Sequence, residues 1–135
     1  MLIETQKNIV NQYFQGLMDG RLEILEEILS SDCAYIDAGE TMFTNRGELI
    51  DYLRKARRLH TKFDVVISDI IAEGDKAAVR CTFHLDTNAV QTTLAVMGFF
   101  QFHAGKIVKI WRSIVIRDEQ EKISSYRSYT LFHDL

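Results

Sequence analysis

The sequence predicts an α+β domain, helices first and sheet last, on two observations. Apolar residues recur at helical spacing through most of the first 60 positions, and after residue 61 the period changes from 3.6 to 2. Three breaks with hairpin chemistry, Gly74-Asp75, Thr87-Asn88 and Ala104-Gly105, then divide the second half into four long strands. The predicted order is α-α-β-α-β-β-β-β, three helices followed by an antiparallel meander.

Residues 4 to 18 carry Ile9, Val10, Tyr13, Phe14, Leu17 and Met18 as one apolar stripe, and Asp19-Gly20 stops that helix. A second helix over about 21 to 29 places Leu22, Leu25, Ile28 and Leu29 on one side, so the two form an αα-hairpin. Ser30-Ser31-Asp32 reads as a break before a short strand from Cys33 to Ile36 that ends at Asp37, and "AGET" reads as a loop. Asn45 and Glu48 resemble a capping box for a third helix over 46 to 59, with Leu49, Ile50, Leu53, Ala56 and Leu59 inward. Its last turns hold Arg54, Lys55, Arg57 and Arg58, read as a solvated basic face that also complements the helix dipole, with a phosphate or nucleic-acid patch as the alternative. The four long strands are expected at 62–73, 76–87, 91–103 and 106–117.

A chain of 135 residues can bury a core unaided, and a net charge of -3 from 16 basic and 19 acidic residues argues against nucleic acid as a partner. No apolar run approaches the ~18 residues that span a bilayer. The start, MLIETQKNIVNQYF, lacks the pattern of a secretory signal, and Cys33 and Cys81 form no CxxC, so a cytoplasmic protein with two small buried thiols is expected. His60, His84, His103 and His133 show no metal-binding spacing, and no cofactor or metal is implied.

Alternation within the strands says more. Val79, Cys81, Phe83 and Leu85 face one way, and Arg80, Thr82, His84 and Asp86 the other. In the next strand Leu94, Val96, Gly98, Phe100 and Phe102 share one face while Ala95, Met97 and Phe99 populate the opposite one. A strand apolar on both sides must be covered on both sides, and three helices cover only one, so a homodimer through the sheet face is expected.

The segments "VNQYFQGLMDGRLEILEEILSSDCAYIDAG", "NRGELIDYL" and "FHAGKIVKIW", in that order and spacing, resemble the nuclear transport factor 2-like superfamily, in its branch of SnoaL-like polyketide cyclases and ketosteroid isomerases. The resemblance covers residues 5 to 116 and implies a cone: a curved sheet wrapped around three helices, with a deep apolar pocket between them. A domain over 1–117 and a tail over 118–135 follow, the tail acting as a lid or a dimer contact through Tyr126, Tyr129, Leu131 and Phe132. Such folds serve isomerases, cyclases, dehydratases and hydrolases as well as binding and dimerisation domains, so function has to come from the site.

Laid on the ketosteroid-isomerase pattern, Tyr13 falls on that family's tyrosine and Asp37 on its aspartate. The resemblance then implies Asp37 as a base that shuttles a proton at carbon and Tyr13 as a donor to the developing enolate oxygen. The pattern's second oxyanion donor, a protonated acid, is replaced here by Gly98, which argues against steroid isomerisation itself. A small apolar ligand is implied, lined from the helices by Phe14, Leu17 and Leu53, from the first strand by Tyr35, and from the meander by Cys81, Phe83, Val96, Gly98, Phe100, Ile110 and Ile114. If Ile110, Arg112 and Ile114 line the pocket, a guanidinium enters it, either pairing with Asp37 or holding an anionic substrate group. The alternative is that a bulge turns Arg112 to solvent, that Tyr13 and Asp37 are a core aromatic and a strand-end turn residue, and that the domain binds or dimerises without turnover. A strained, desolvated base would make Asp37→Asn the more stable variant at neutral pH, whereas a paired carboxylate would make it the less stable one.

Overall fold

The computed structural model describes residues 2–116; the tail from 118 to 135, and with it the expected lid or dimer contact, lies outside the described residues. The elements are α1 (Ile3–Asp19), α2 (Glu23–Ile28), β1 (Leu29–Asp37), β2 (Glu40–Phe43), α3 (Arg46–Leu59), β3 (Lys62–Glu73), β4 (Lys76–Thr87), β5 (Val90–His103) and β6 (Lys106–Ile116). Three helices thus precede most of a six-stranded, curved and unclosed sheet in the order β2-β1-β6-β5-β4-β3.

α1 buries Val10, Tyr13, Phe14 and Leu17 and ends on Gly20 in the left-handed region at φ 70°, where a residue with a Cβ would be strained. α2 is one short piece, because Leu29 already has extended backbone. α3 starts where expected: the Asn45 side chain accepts from the Glu48 backbone N–H at 3.2 Å. The meander follows the predicted hairpins, with β3 and β4 spanning the expected residues and left-handed Gly74, Asn88, Ala89, Ala104 and Gly105 at the turns. The inward rows Val79, Cys81, Phe83, Leu85 and Leu94, Val96, Phe100, Phe102 are buried against the helices.

Three expectations are corrected. Ser30-Ser31-Asp32 does not break the chain; it lies within β1, which begins at Leu29. The "AGET" segment is not only a loop, since the chain turns at Ala38 (φ 49°) and Gly39 (φ 85°) and returns as β2, paired with β1. The sheet is also not antiparallel throughout: β1 runs parallel to β6, with Tyr35 opposite Ile110 and Asp37 opposite Arg112. That pairing is non-local, so nothing in the local pattern of either strand announces it.

The outer sheet face carries exposed Val66, Ile71, Met97 and Phe99, with Phe99 packed edge-on to Trp111 at 5.7 Å. A groove of about 510 Å³ runs there, and Gly98 and Arg112 belong to its floor.

The α1–α2 hairpin depends on one small residue. A Cβ at Gly16 would lie 2.7 Å from Ile24 Cγ2 and 3.2 Å from the Arg21 carbonyl oxygen. Gly16→Ala should therefore destabilise the domain by roughly 1–3 kcal/mol despite alanine's better helix propensity, read as a lower midpoint in urea unfolding. An unchanged or raised midpoint would show that the two helices can separate without loss.

Candidate functional site

Four elements bring one polar cluster into an apolar interior. β1 points Cys33, Tyr35 and Asp37 inward by its period of two, and the parallel register sets Arg112 of β6 directly beside Asp37. The Ala38 N–H donates to the Arg112 carbonyl at 3.0 Å, which holds the end of β1 against β6. α3 contributes Tyr52 and α1 contributes Tyr13.

Arg112 and Asp37 are each 7 % exposed. Arg112 Nη2 donates to Asp37 Oδ2 at 3.2 Å and to the Tyr52 hydroxyl at 3.1 Å. The guanidinium also stands 5.0 Å from the Tyr35 ring centre and 5.8 Å from that of Tyr52, within cation–π range of both. Tyr35, Phe43 and Tyr52 pack on one another around it. Asp37 Oδ1 and Arg112 Nε are buried with no hydrogen-bond partner among the described residues.

Burial and charge set the protonation of the cluster. Burial alone would lower the Arg112 pKa, but Tyr35, Tyr52 and Asp37 outweigh it and raise it, so the guanidinium stays charged. Burial is the main cause that pushes Tyr13 well above the ordinary phenol value, with Tyr35 adding to it and Arg112 opposing. Tyr35 is raised as well, chiefly by burial, against the opposing pull of Arg112 and of a side-chain hydrogen bond with Tyr13. Both phenols are therefore neutral hydrogen-bonding groups at physiological pH rather than bases.

Beside this cluster lies a cavity of about 20 Å³, room for roughly one water molecule. Tyr13, Phe14, Leu17, Tyr35, Leu53, Phe83, Val96, Gly98, Phe100, Ile110 and Arg112 form its wall. Cys81, Ile114 and Asp37, expected there too, are buried but off that wall: Cys81 and Ile114 pack into the core on either side of Val96, and Asp37 meets the wall through Arg112. No bulge turns Arg112 outward. At Gly98 a Cβ would come 2.9 Å from Val79 Cγ1 and 3.4 Å from Phe100 Cε2, so no larger side chain fits without repacking.

Tyr52 is the member of the cluster that the sequence reading missed. It lies three residues after Leu49 and four before Ala56, on the same inward stripe, and a phenol at such a position was the available signal. Among the described residues no three His, Cys, Asp or Glu side chains converge as metal ligands would.

A curved, unclosed sheet over three helices with a small interior cavity defines the cone-shaped α+β class that the sequence resembles. The SnoaL-like domain matches residues 10–110, and the chain belongs to that family. Among solved structures it is similar to IdmH of Streptomyces antibioticus, a provisionally assigned polyketide cyclase, with 14% identity, a TM-score of 0.71, and 88% of this chain and 94% of that one covered. It is also similar to a Mycobacterium tuberculosis LEH-like epoxide hydrolase (18% identity, TM-score 0.72, 88% and 84% covered) and to TsrD of Streptomyces laurentii (13%, 0.74, 95% and 96%). At such identities the likeness is one of fold. No curated protein sequence matches this chain.

Two predictions follow from the cluster. Removing one partner of a buried pair strands the other, so Arg112→Met and Asp37→Asn should each destabilise the domain at pH 7, the former by about 3–5 kcal/mol. The double variant should lose clearly less than the sum in urea unfolding; simple additivity would show that the two charges do not interact.

The second concerns alkaline pH. Burial pushes the Cys33 and Cys81 thiols up to about 12 and raises Tyr13 and Tyr35 in the same direction. The stability linked to these protonated groups is complete below the unfolded thiol value of about 8.5 and is lost as pH rises towards the folded values. Urea midpoints should fall steadily from about pH 9 upward, and less steeply in a variant with both cysteines replaced by alanine. A flat profile, or equal slopes, would contradict the burial of these groups.

Proposed function

We propose that the chain takes a small carbonyl compound with an apolar skeleton into the cavity beneath α1 and α3. It moves a proton on that compound without a cofactor, as an isomerase or cyclase does. The observation that carries this reading is a fixed cation and two neutral phenols, Arg112, Tyr13 and Tyr35, on an otherwise apolar wall. Such donors polarise a carbonyl and stabilise the oxyanion that develops on loss of an α-proton. Asp37, whose Oδ1 has no partner among the described residues, is the candidate base, and Tyr52 steadies the guanidinium. Names among the structural neighbours, a polyketide cyclase and an epoxide hydrolase, support small-molecule chemistry in this fold.

Pockets that hold organic ligands usually enclose about 300–1,000 Å³, so a ligand has to push this wall outward. That observation, with Asp37 paired and off the wall, favours a second reading: a ligand-binding or dimerisation domain without turnover. A homodimer through the outer sheet face belongs to both readings, supported by exposed Ile71, Met97 and Val66. No described helix is long and apolar enough to cross a membrane.

The test is exchange of α-protons into D2O for a panel of small cyclic ketones and enones, followed by proton NMR. Catalysed exchange above the buffer rate, reduced about 10²–10⁴-fold in Asp37→Asn, is the expected result. Ligand-induced shifts without exchange would leave a binding domain, and neither shifts nor exchange would leave dimerisation.

A further inference from the structure

The notion of a pocket beside Arg112, on which the following rests, leaves open what charge its ligand carries. Among the described residues the buried polar side chains are Gln6, Asp37, His60 and Arg112. Gln6 is tied to the Gly74 carbonyl, and His60 sits against Thr87 and Phe63. At the cavity this leaves one cation and one anion, in contact with each other at 3.2 Å.

A ligand carboxylate placed on Arg112 would put two anions on one buried cation, and a ligand ammonium would put two cations on one buried anion. In a site shielded from water either arrangement leaves one charge uncompensated. An uncharged ligand disturbs nothing. Arg112 belongs to the cavity wall, and its Nε, buried without a partner among the described residues, has a hydrogen bond to give. A ligand hydroxyl or carbonyl oxygen can accept that hydrogen bond without bringing a second anion to the pair, which a carboxylate cannot.

We propose that Asp37 acts as the counter-ion of Arg112 and restricts the pocket to uncharged ligands bearing a hydroxyl or an enolisable carbonyl. Asp37 is then a specificity-determining residue, whether or not it also moves a proton. The neighbouring phenols fit this role, since Tyr13 and Tyr35 are held neutral and add hydrogen bonds without adding charge.

Four probes on one bicyclic skeleton test the proposal: 2-tetralol, 2-tetralone, tetralin-2-carboxylate and 2-aminotetralin, titrated into the full chain at pH 7 by calorimetry or NMR. The alcohol and ketone should bind about tenfold or more tightly than either charged probe. In Asp37→Asn, with folding checked by circular dichroism, Arg112 loses its counter-ion and the carboxylate should overtake the neutral probes. Asp37→Glu keeps the charge and should keep the original order. Tightest binding of the carboxylate or the amine by the unaltered chain would overturn the proposal, as would an unchanged order in folded Asp37→Asn. If Asp37→Asn does not fold, the order measured on the unaltered chain decides alone. Binding of none of the four would remove the pocket itself, a failure distinct from binding with the wrong charge preference.

Discussion

Placing a guanidinium and a carboxylate in an apolar core costs several kcal/mol per ion unless geometry returns it, and the structure around Asp37 and Arg112 is arranged to do so. The parallel register of β1 with β6 puts the two side chains side by side. The Tyr52 hydroxyl accepts a further hydrogen bond from the guanidinium, and the rings of Tyr35 and Tyr52 lie within reach of its charge. Asp37 and Tyr35 come from β1 and Tyr52 from α3, so Arg112 couples α3 and β1 to β6. Disturbing any of them would leave a charge in the core without its partner.

The same arrangement governs what the cavity can do. Arg112 is held charged and in place, and the phenols on the wall are held neutral, which makes a preorganised set of donors. A base needs freedom to accept a proton, and Asp37 has one oxygen engaged and one without a partner among the described residues. Gly98 supplies no second acid, because the space a side chain would need is taken by Val79 and Phe100.

Much of this was legible in the sequence where the physics is local. The long strands could be read from alternation between turns rich in Gly and Asn, and α3 from the Asn45 cap, because both signals act over a few residues. Ser30-Ser31-Asp32 misled because polar residues favour turns, yet here they form the exposed part of β1 beside buried Leu29 and Cys33. β2 was hidden by its brevity and exposure. The inward direction of Arg112 could be posed as a question from strand period, with Asp37, 75 positions away, as one of two candidate partners; Tyr52, 60 positions away on a helix, had no local signal tying it to Arg112. The narrowness of the cavity was out of reach for the same reason: it depends on how Tyr13, Phe14 and Phe100 interlock.

The unclosed sheet has a further consequence, for how the molecule meets others. Among the described residues its edges are β2 and β3, and unpaired backbone at an edge is a template on which another chain can add a strand. β2 offers only four residues. β3 carries Lys62, Asp64, Asp69 and Glu73 and is kinked by an irregular register between Ile67 and Asp69, so it presents neither a flat nor an uncharged rim. Among the described residues both borders are thus guarded against runaway stacking of sheets, while the apolar outer surface between them carries no such guard.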